Sequence, residues 1–472
     1  MTNKNLLSDR DKELQTLAEQ FESAIAENKS FYLDADDFAD LTDWYGTRTR
    51  YDNAFEAVDY GLKIHPDSTP LLVQKAYLYI DTNKKDLARQ LIKSIKEDTP
   101  EVKVLRAHLL LNEGKLSAAE ELLNTIEEKE ELGNVVDVSY MYLDMGYPEK
   151  ALEWLSPVLK KYAENEAFIA VTADCFHAQG LIDKASFFYN KLIDINPYSA
   201  PYWFGLAKCY FEMHDFDKAI DACDYAIVSD DQFTDAYVMK GHAFFQLGNE
   251  DEALKCYQQA EKLHGIAPDF ICMYIGLCKV SKGEWEEAFK NLEMAIKLND
   301  DLLSPLLPSI YSNAGLCLHK LGKIRKAHQY CKKAQELAPS EVENYLIEGR
   351  IYMEEEKLDK AIKQWATALE YDPSADTWCE IGTYSMDFGY FEYAKTAFER
   401  VLELEPEFEG INERLTILYL VTHDKENFMK YNQKCAKPIE LKELENVIRV
   451  LESNEDKSEI TQYMQEIIKG IQ

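Results

Sequence analysis

The side chains that could do chemistry are plentiful in this chain, but they never stand at the spacing that catalysis needs. The 472 residues include 9 histidines, 10 cysteines and 85 aspartates and glutamates. Glycine-rich phosphate loops, the His-Glu-x-x-His pattern of zinc proteases and the Gly-x-Ser-x-Gly turn of serine hydrolases are all missing from the sequence. A pair of carboxylates always exists among so many acids, so acid–base catalysis cannot be inferred from abundance. The sequence therefore predicts no enzyme and no cofactor.

The cysteines indicate packing rather than metal or redox chemistry. No Cys-x-x-Cys pair occurs, although that spacing is typical of zinc ligand sets and redox dithiols. Cys175, Cys209, Cys278 and Cys317 recur instead at one position of an apolar pattern, where a compact apolar side chain fits. We expect core thiols there, and predict no metal site.

That apolar pattern defines pairs of short helices. In residues 200–227, apolar side chains at spacings of three and four predict two helices with a break at His214 and Asp215. Neither helix could bury its apolar stripe alone, so each pair must pack on another pair. An alanine of the second helix recurs in steps close to 34 residues, which indicates a repeat array. These alanines are Ala54, Ala88, Ala119, Ala151, Ala185, Ala219, Ala253, Ala288, Ala327, Ala361 and Ala394.

Two further columns keep step with the alanines. A small residue recurs on the first helix of each pair, at Ala76, Ala107, Ser139, Ala173, Ala207, Gly241, Gly276, Gly315, Gly349 and Gly382. A bulky residue follows many of the alanines by four, as at Tyr189, Tyr257, Leu292, Trp365 and Phe398. Small residues let two helices approach closely, and bulky ones fill the space beside them.

Together these columns resemble the tetratricopeptide repeat family, over roughly Ala35 to Phe408. The resemblance implies an all-α fold: a right-handed superhelical α-solenoid of about 11–12 helix-turn-helix repeats with helical caps. The expected organisation is an N-terminal capping helix (1–34), a repeat array of about eleven units (35–408), a degenerate repeat (409–437) and C-terminal capping helices (438–472). A step of 39 between Ala288 and Ala327 places an irregular loop near 299–308. Its two prolines and four leucines favour a packed loop or an extended first helix over a flexible linker. The insertion could mark a change in superhelix pitch or a boundary between two subarrays.

The resemblance also implies a concave groove, lined by the first helices, that in this family typically binds extended peptides or a partner helix. The candidate groove residues lie beside the small-residue column or three positions further on. They are Tyr77, His108, Tyr140, Asp174, Lys208, Phe211, His242, Phe245 and Arg350. Aromatic anchors next to hydrogen-bonding groups suit a peptide ligand. Alternatively, these long side chains only pack against neighbouring repeats. The lysine and asparagine clamp of chaperone-tail receptors has no match here, because Lys208 and Asn313 stand isolated.

A second candidate surface is basic. Residues 302–335 contain no aspartate or glutamate but carry six cations. This basic patch consists of Lys320, Lys323, Arg325, Lys326, Lys332 and Lys333. It could dock on an acidic surface of a partner or of another copy of the chain. The alternative is local pairing with acidic neighbours, which contributes little.

Charge and hydropathy limit the remaining classes of function. With 52 basic and 85 acidic residues, the formal net charge of −33 argues against nucleic-acid binding. Neither a secretory signal nor a membrane-spanning apolar run is evident, so we expect a cytoplasmic protein without membrane insertion.

The sequence thus predicts a non-catalytic interaction scaffold that binds a protein or peptide in its groove. One alternative is a structural protein that self-assembles through the basic patch or the C-terminal helix. Another is a signalling sensor whose superhelix responds to a peptide. Repeat folds serve many functions, so the fold gives only this class.

Overall fold

The computed structural model describes residues 9–27, 29–48, 50–263, 266–299, 304–435 and 437–439. These residues form 25 α-helices and no strand, which confirms the all-α prediction. The irregular stretch near 299–308 lies partly outside the described residues, and the predicted C-terminal helices lie almost wholly outside them.

The helices follow one another with short connections. They are α1 Asp9–Ala26, α2 Ala35–Gly46, α3 Tyr51–Ile64, α4 Thr69–Asp81, α5 Lys85–Ser94, α6 Pro100–Asn112, α7 Leu116–Leu123, α8 Leu132–Asp144, α9 Pro148–Leu155, α10 Glu166–Ala178, α11 Ile182–Ile195, α12 Ala200–Glu212, α13 Phe216–Ser229, α14 Thr234–Gln246, α15 Glu250–Leu263, α16 Pro268–Ser281, α17 Trp285–Leu298, α18 Leu307–Lys320, α19 Ile324–Leu337, α20 Val342–Glu354, α21 Leu358–Tyr371, α22 Ala375–Asp387, α23 Phe391–Leu404, α24 Ile411–Val421 and α25 Lys425–Asn432. A 3₁₀ turn, Ser156–Val158, extends α9.

The chain divides into two compact units, Met1–Ile271 and Cys272–Gln472. Within each unit, most even-numbered helices pack against the odd-numbered helix that follows, as α12 does against α13 and α20 against α21. We call the even-numbered member of each hairpin the first helix, and the odd-numbered member the second. Most second helices also pack on the next hairpin, as α13 does on α14. The result in each unit is a row of helical hairpins.

The hairpins turn in the same way from α4–α5 to α24–α25. The second residue after each first helix has a positive φ. In the turn of α10 and α11, Gly180 has a φ of 69°, and the amide of Leu181 donates to the carbonyl oxygen of Phe176 at 2.9 Å. This is the bond that closes a helix through a left-handed residue. Four turns use other residues there, namely Asn83, His214, Glu356 and His423.

The small-residue and bulky columns meet inside the hairpins, as the sequence predicts. A methyl group added at Gly382 would lie 2.5 Å from Phe398 Cε1, and one added at Gly349 would lie 2.1 Å from Trp365 Nε1. Gly241 faces Tyr257 in the same way at 2.7 Å. First and second helices therefore approach so closely that a side chain on one excludes a side chain on the other.

Prolines lie near several of the boundaries between repeats. Pro66, Pro197, Pro339 and Pro406 follow second helices, where they prevent helix continuation. Pro100 is instead the first residue of α6, a position that tolerates proline because its amide would be unpaired in any case.

Candidate functional site

The first helices of the unit Met1–Ile271 pack side by side. Contacts join α2 to α4, α4 to α6, α6 to α8, α8 to α10, α10 to α12 and α12 to α14. We call the side of this layer that carries Tyr77, His108, Tyr140, Asp174, Lys208 and His242 the groove face. Eight of the nine candidate groove residues belong to this unit, and Arg350 belongs to the other one.

Asp174 is the centre of a hydrogen-bond network on the groove face. The hydroxyl of Tyr140 donates to Asp174 Oδ2 at 3.2 Å, and the hydroxyl of Tyr189 donates to Asp174 Oδ1 at 2.5 Å. Desolvation raises the pKa of both phenols, and the charge of Asp174 raises both further. Beside them, Tyr202 donates to Glu166 Oε1 at 2.9 Å. Tyr140 remains 36% exposed, so its ring is accessible to a ligand.

At the N-terminal end of the groove face, Tyr77 on α4 packs near His108 on α6, with ring centroids 6.4 Å apart. His108 is buried at 6% exposure, and its Nδ1 has no hydrogen-bond partner. Desolvation lowers the pKa of this imidazole, so it is neutral near pH 7. His108 is thus less accessible than the sequence pattern predicts.

The remaining groove residues of this unit are partly buried and already hold contacts. Lys208 Nζ lies 5.5 Å from the centroid of the Phe204 ring. Phe211 packs edge-on against Phe216, with centroids 5.3 Å apart. His242 Nδ1 lies 2.7 Å from the hydroxyl oxygen of Tyr257, and desolvation lowers the pKa of this imidazole to about 4. Phe245 is half-buried.

Sequence reasoning missed the acidic character of the groove face. Asp43, Asp81, Asp137 and Asp144 are exposed on α2, α4 and α8. Desolvation by the surrounding protein nevertheless raises the pKa of each of these carboxyls. Exposure together with reduced hydration is typical of side chains that line a recess. The sequence did contain a pattern that could have predicted these acidic positions, because Asp81 and Asp144 both lie five residues after the small-residue column.

In the unit Cys272–Gln472, Arg350 already has two partners. Its Nε lies 3.7 Å from Glu354 Oε1, and its guanidinium lies 5.4 Å from the centroid of the Tyr384 ring. Glu354 also faces His319, whose Nδ1 is 3.2 Å from Glu354 Oε2. Arg350 is therefore part of a charge network within its own unit.

The basic patch divides into paired and unpaired cations. Lys320 lies 2.7 Å from Glu354 Oε1, and Lys332 lies 3.8 Å from Glu336. Lys323 and Lys326 lie over the ring of Phe289, at 5.9 and 5.4 Å from its centroid. Arg325 and Lys333 are exposed, and no acidic group of the described residues pairs with either of them.

The described residues contain no group of three or more histidine, cysteine, aspartate or glutamate side chains placed to hold a metal ion. None of the helices that the structure describes is long and apolar enough to cross a membrane.

Two family models match parts of this chain. Residues 178–260 match the family described as anaphase-promoting complex, cyclosome, subunit 3. Residues 308–341 and 375–408 match the tetratricopeptide repeat.

Similar curated proteins include two that are named as anaphase-promoting complex subunits. Anaphase-promoting complex subunit 7 of Dictyostelium discoideum is 25% identical over 233 residues, which is 49% of this chain and 39% of the relative. Anaphase-promoting complex subunit CDC16 of Saccharomyces cerevisiae is 23% identical over 289 residues, which is 58% of this chain and 34% of the relative. The chain thus spans little more than a third of these relatives. Among solved structures, the Cut9-Hcn1 hetero-tetramer is similar at 14% identity and a TM-score of 0.42, over 88% of this chain and 98% of the other.

Proposed function

We propose that this chain, a tetratricopeptide repeat protein, is a non-catalytic interaction scaffold whose groove face holds a peptide or a segment of a partner protein. One observation carries the proposal. Six first helices, α4 to α14, pack side by side and place aromatic, imidazole and carboxylate groups on one face. Aromatic anchors next to polar groups are what an extended segment needs for binding.

The closely packed hairpins support this function because they hold the groove face in place before a partner arrives. The contact between Gly241 and Tyr257 excludes even a methyl group, and Tyr189 is fixed by its bond to Asp174. A preformed face lowers the ordering cost of binding. The relatives named as subunits of a complex agree with a role in assembly.

We also propose that the protein is cytoplasmic. All ten cysteines are free thiols, and nine of them are buried. Free, buried thiols are typical of proteins in a reducing compartment.

Site-specific photo-crosslinking tests the groove. A photoreactive phenylalanine analogue replaces either Tyr140, which is 36% exposed on the groove face, or Phe187, which is 65% exposed on the second helix α11. In lysate of the native host, we expect a discrete partner to crosslink from position 140 and not from position 187. Crosslinks from position 187 alone, or from neither position, would contradict the groove as the binding surface.

Self-assembly through the basic patch is the second candidate function. It is favoured by Arg325 and Lys333, which are exposed without an acidic partner among the described residues. Their attraction to the acidic surface of another copy would be long-ranged and sensitive to salt. A mass in solution that falls with added salt, and equally with Lys323→Glu and Arg325→Glu together, would favour this function. A constant monomer mass at low salt would exclude it.

A further inference from the structure

The acidic part of the groove face surrounds one phenol. Desolvation raises the pKa of Tyr77, and the charges of four carboxylates raise it further. In order of decreasing effect they are Asp137, Asp144, Asp81 and Glu101. Contacts join α4 to α6 and α6 to α8, so the helices that carry these carboxylates lie side by side, and Coulomb interactions of this kind weaken with distance. The four carboxylates come from three adjacent first helices, α4, α6 and α8.

Three of these carboxylates have no cation beside them. Elsewhere in the same unit, Asp59 is paired with Lys75 at 2.7 Å and Asp224 with Lys240 at 2.5 Å. Asp81, Asp137 and Asp144, in contrast, have no ion pair with any described residue. The named charges that act on them are those of other carboxylates: Asp43 on Asp81, Glu101 on Asp137 and Asp81 on Asp144.

A second, independent observation is the buried imidazole of His108. His108 belongs to α6, which packs on both α4 and α8; its ring centroid lies 6.4 Å from that of Tyr77, and the residue is only 6% exposed. Its Nδ1 nevertheless has no hydrogen-bond partner. Buried polar atoms are nearly always paired in native structures, so an unpaired one calls for a missing partner. A ligand in the recess beside Tyr77 would supply it.

These observations point to an organic cation. Carboxylates that are partly stripped of water and repel one another are stabilised by an incoming positive charge. The Tyr77 and Tyr140 rings each offer a face to a cationic group. A metal ion does not fit, because the described residues contain no suitable ligand group.

We infer that the groove face of α2, α4, α6 and α8 binds an extended segment of a partner protein that carries arginine or lysine side chains. This inference rests on the proposed groove function and adds the chemistry of the ligand. Four helices packed about 8–10 Å apart span roughly 25–30 Å. An extended chain at about 3.3 Å per residue crosses that distance with roughly nine residues. Several cationic side chains of one segment could therefore reach Asp43, Asp81 and the α8 carboxylates together.

Fluorescence anisotropy with two matched peptides tests the inference. The probe is a labelled peptide of roughly nine residues with arginine at every third position, and its control carries uncharged citrulline at those positions. The full chain should bind the arginine peptide at least about tenfold more tightly than the citrulline peptide. Equal affinity for the two peptides would overturn the inference.

Two charge-matched variants locate the site. Asp81→Asn, Asp137→Asn and Asp144→Asn together should weaken binding of the arginine peptide about tenfold or more. Glu127→Gln, Glu128→Gln and Glu130→Gln together remove the same number of charges from an exposed run outside the groove face, and should leave affinity nearly unchanged. Equal losses in both variants would mean that net charge alone attracts the peptide, and would contradict the site.

The groove function and the cationic ligand can fail separately. If a partner crosslinks from position 140 but the arginine and citrulline peptides bind alike, the groove function stands and the cationic inference falls. If spermine displaces the arginine peptide at concentrations near the peptide's own dissociation constant, the recess is a site for a free polyamine and the inferred protein ligand is wrong. The asparagine variants remove repulsion, so their heat-unfolding midpoint should not fall below that of the unaltered chain.

Discussion

At the scale of single residues, the groove face holds its carboxylates in two different ways. Asp174 accepts hydrogen bonds from Tyr140 and Tyr189, and hydrogen bonds to an ionised carboxylate stabilise its charge. Asp137 has neither a hydrogen-bond donor nor a cation among the described residues. Desolvation, and to a smaller extent the charge of Glu101, raise its pKa from 3.8 to about 6. Asp174 is thus a structural group, whereas Asp137 remains available for a ligand.

Asp137→Asn should stabilise the free protein at neutral pH and have little effect once the pH falls below 3.8. The pKa of Asp137 is higher in the folded chain, about 6, than the ordinary 3.8. Its ionisation therefore disfavours folding increasingly as the pH rises through that window, and the effect is complete above it. The urea midpoints of the variant and of the unaltered chain, compared at pH 5 and pH 7.5, measure this. If the difference between the two urea midpoints does not increase from pH 5 to pH 7.5, the raised pKa of Asp137 is contradicted.

The matched control is Asp59→Asn, which removes a carboxylate that has a partner. Lys75 Nζ lies 2.7 Å from Asp59 Oδ1, and the carboxylate is half-exposed. Loss of such a surface pair lowers the free energy of unfolding by at most about 1 kcal/mol. The two asparagine variants should therefore shift stability in opposite directions at pH 7.5.

At the scale of the helical hairpin, the left-handed turn residue is a defined point of weakness. Gly180→Ala forces a side chain onto a backbone with a φ of 69°, while no neighbouring atom lies within 4 Å of the new methyl group. The substitution should therefore lower the free energy of unfolding by about 1–2 kcal/mol, and backbone strain alone accounts for this loss. Hydrogen exchange in α10 and α11 should accelerate accordingly. Gly133→Ala, a helical position with the same open surroundings, should not accelerate exchange in α8.

The close approach of helices within a hairpin gives a second prediction. Gly382→Ala would place a methyl group 2.5 Å from Phe398 Cε1, and such overpacking destabilises by about 1–3 kcal/mol. Phe398→Leu removes the clashing ring edge but leaves a cavity. Because the two residues are in contact, the double variant should be more stable than the sum of the single effects predicts. Additive changes in the urea midpoint would show that the clash with Phe398 is not what destabilises the Gly382→Ala variant.

The helical hairpin also shows which contacts of this protein could be predicted from its sequence. The Gly382 and Phe398 columns predicted the hairpin contact, because a fixed spacing on two helices determines which residues meet. The acidic recess was missed because only two positions per first helix were considered, and Asp81 and Asp144 occupy a third. The burial of His108 depends on how closely α4 and α8 approach α6, and no spacing within one helix encodes that distance. Contacts within a repeat were predictable, whereas those between repeats were not.

At the scale of the whole molecule, the formal net charge of −33 is the dominant electrostatic fact. Most ion pairs of the described residues have exposed partners, and such pairs contribute little. Self-repulsion of the excess acids should therefore outweigh them. Raising the salt from about 0.01 to 0.15 M shortens the screening length from about 30 to 8 Å. The heat-unfolding midpoint should rise over that range.

A variant with a less negative net charge provides the control for the salt response. Glu127→Lys, Glu128→Lys and Glu130→Lys together should raise the midpoint at low salt and flatten its dependence on salt. A midpoint of the unaltered chain that falls as salt is added would mean that its ion pairs matter more than its net charge.

The repeated turn between first and second helix also has a consequence for synthesis on the ribosome. Each hairpin closes through a bond within about six residues, like that from Leu181 to Phe176, and packs next on the hairpin before it. With a repeat of about 34 residues and elongation at about 5–20 residues per second, a new hairpin leaves the ribosome roughly every 2–7 s. Helix formation is far faster than that. The chain can therefore fold from its N-terminus while translation continues, each finished hairpin serving as the template for the next.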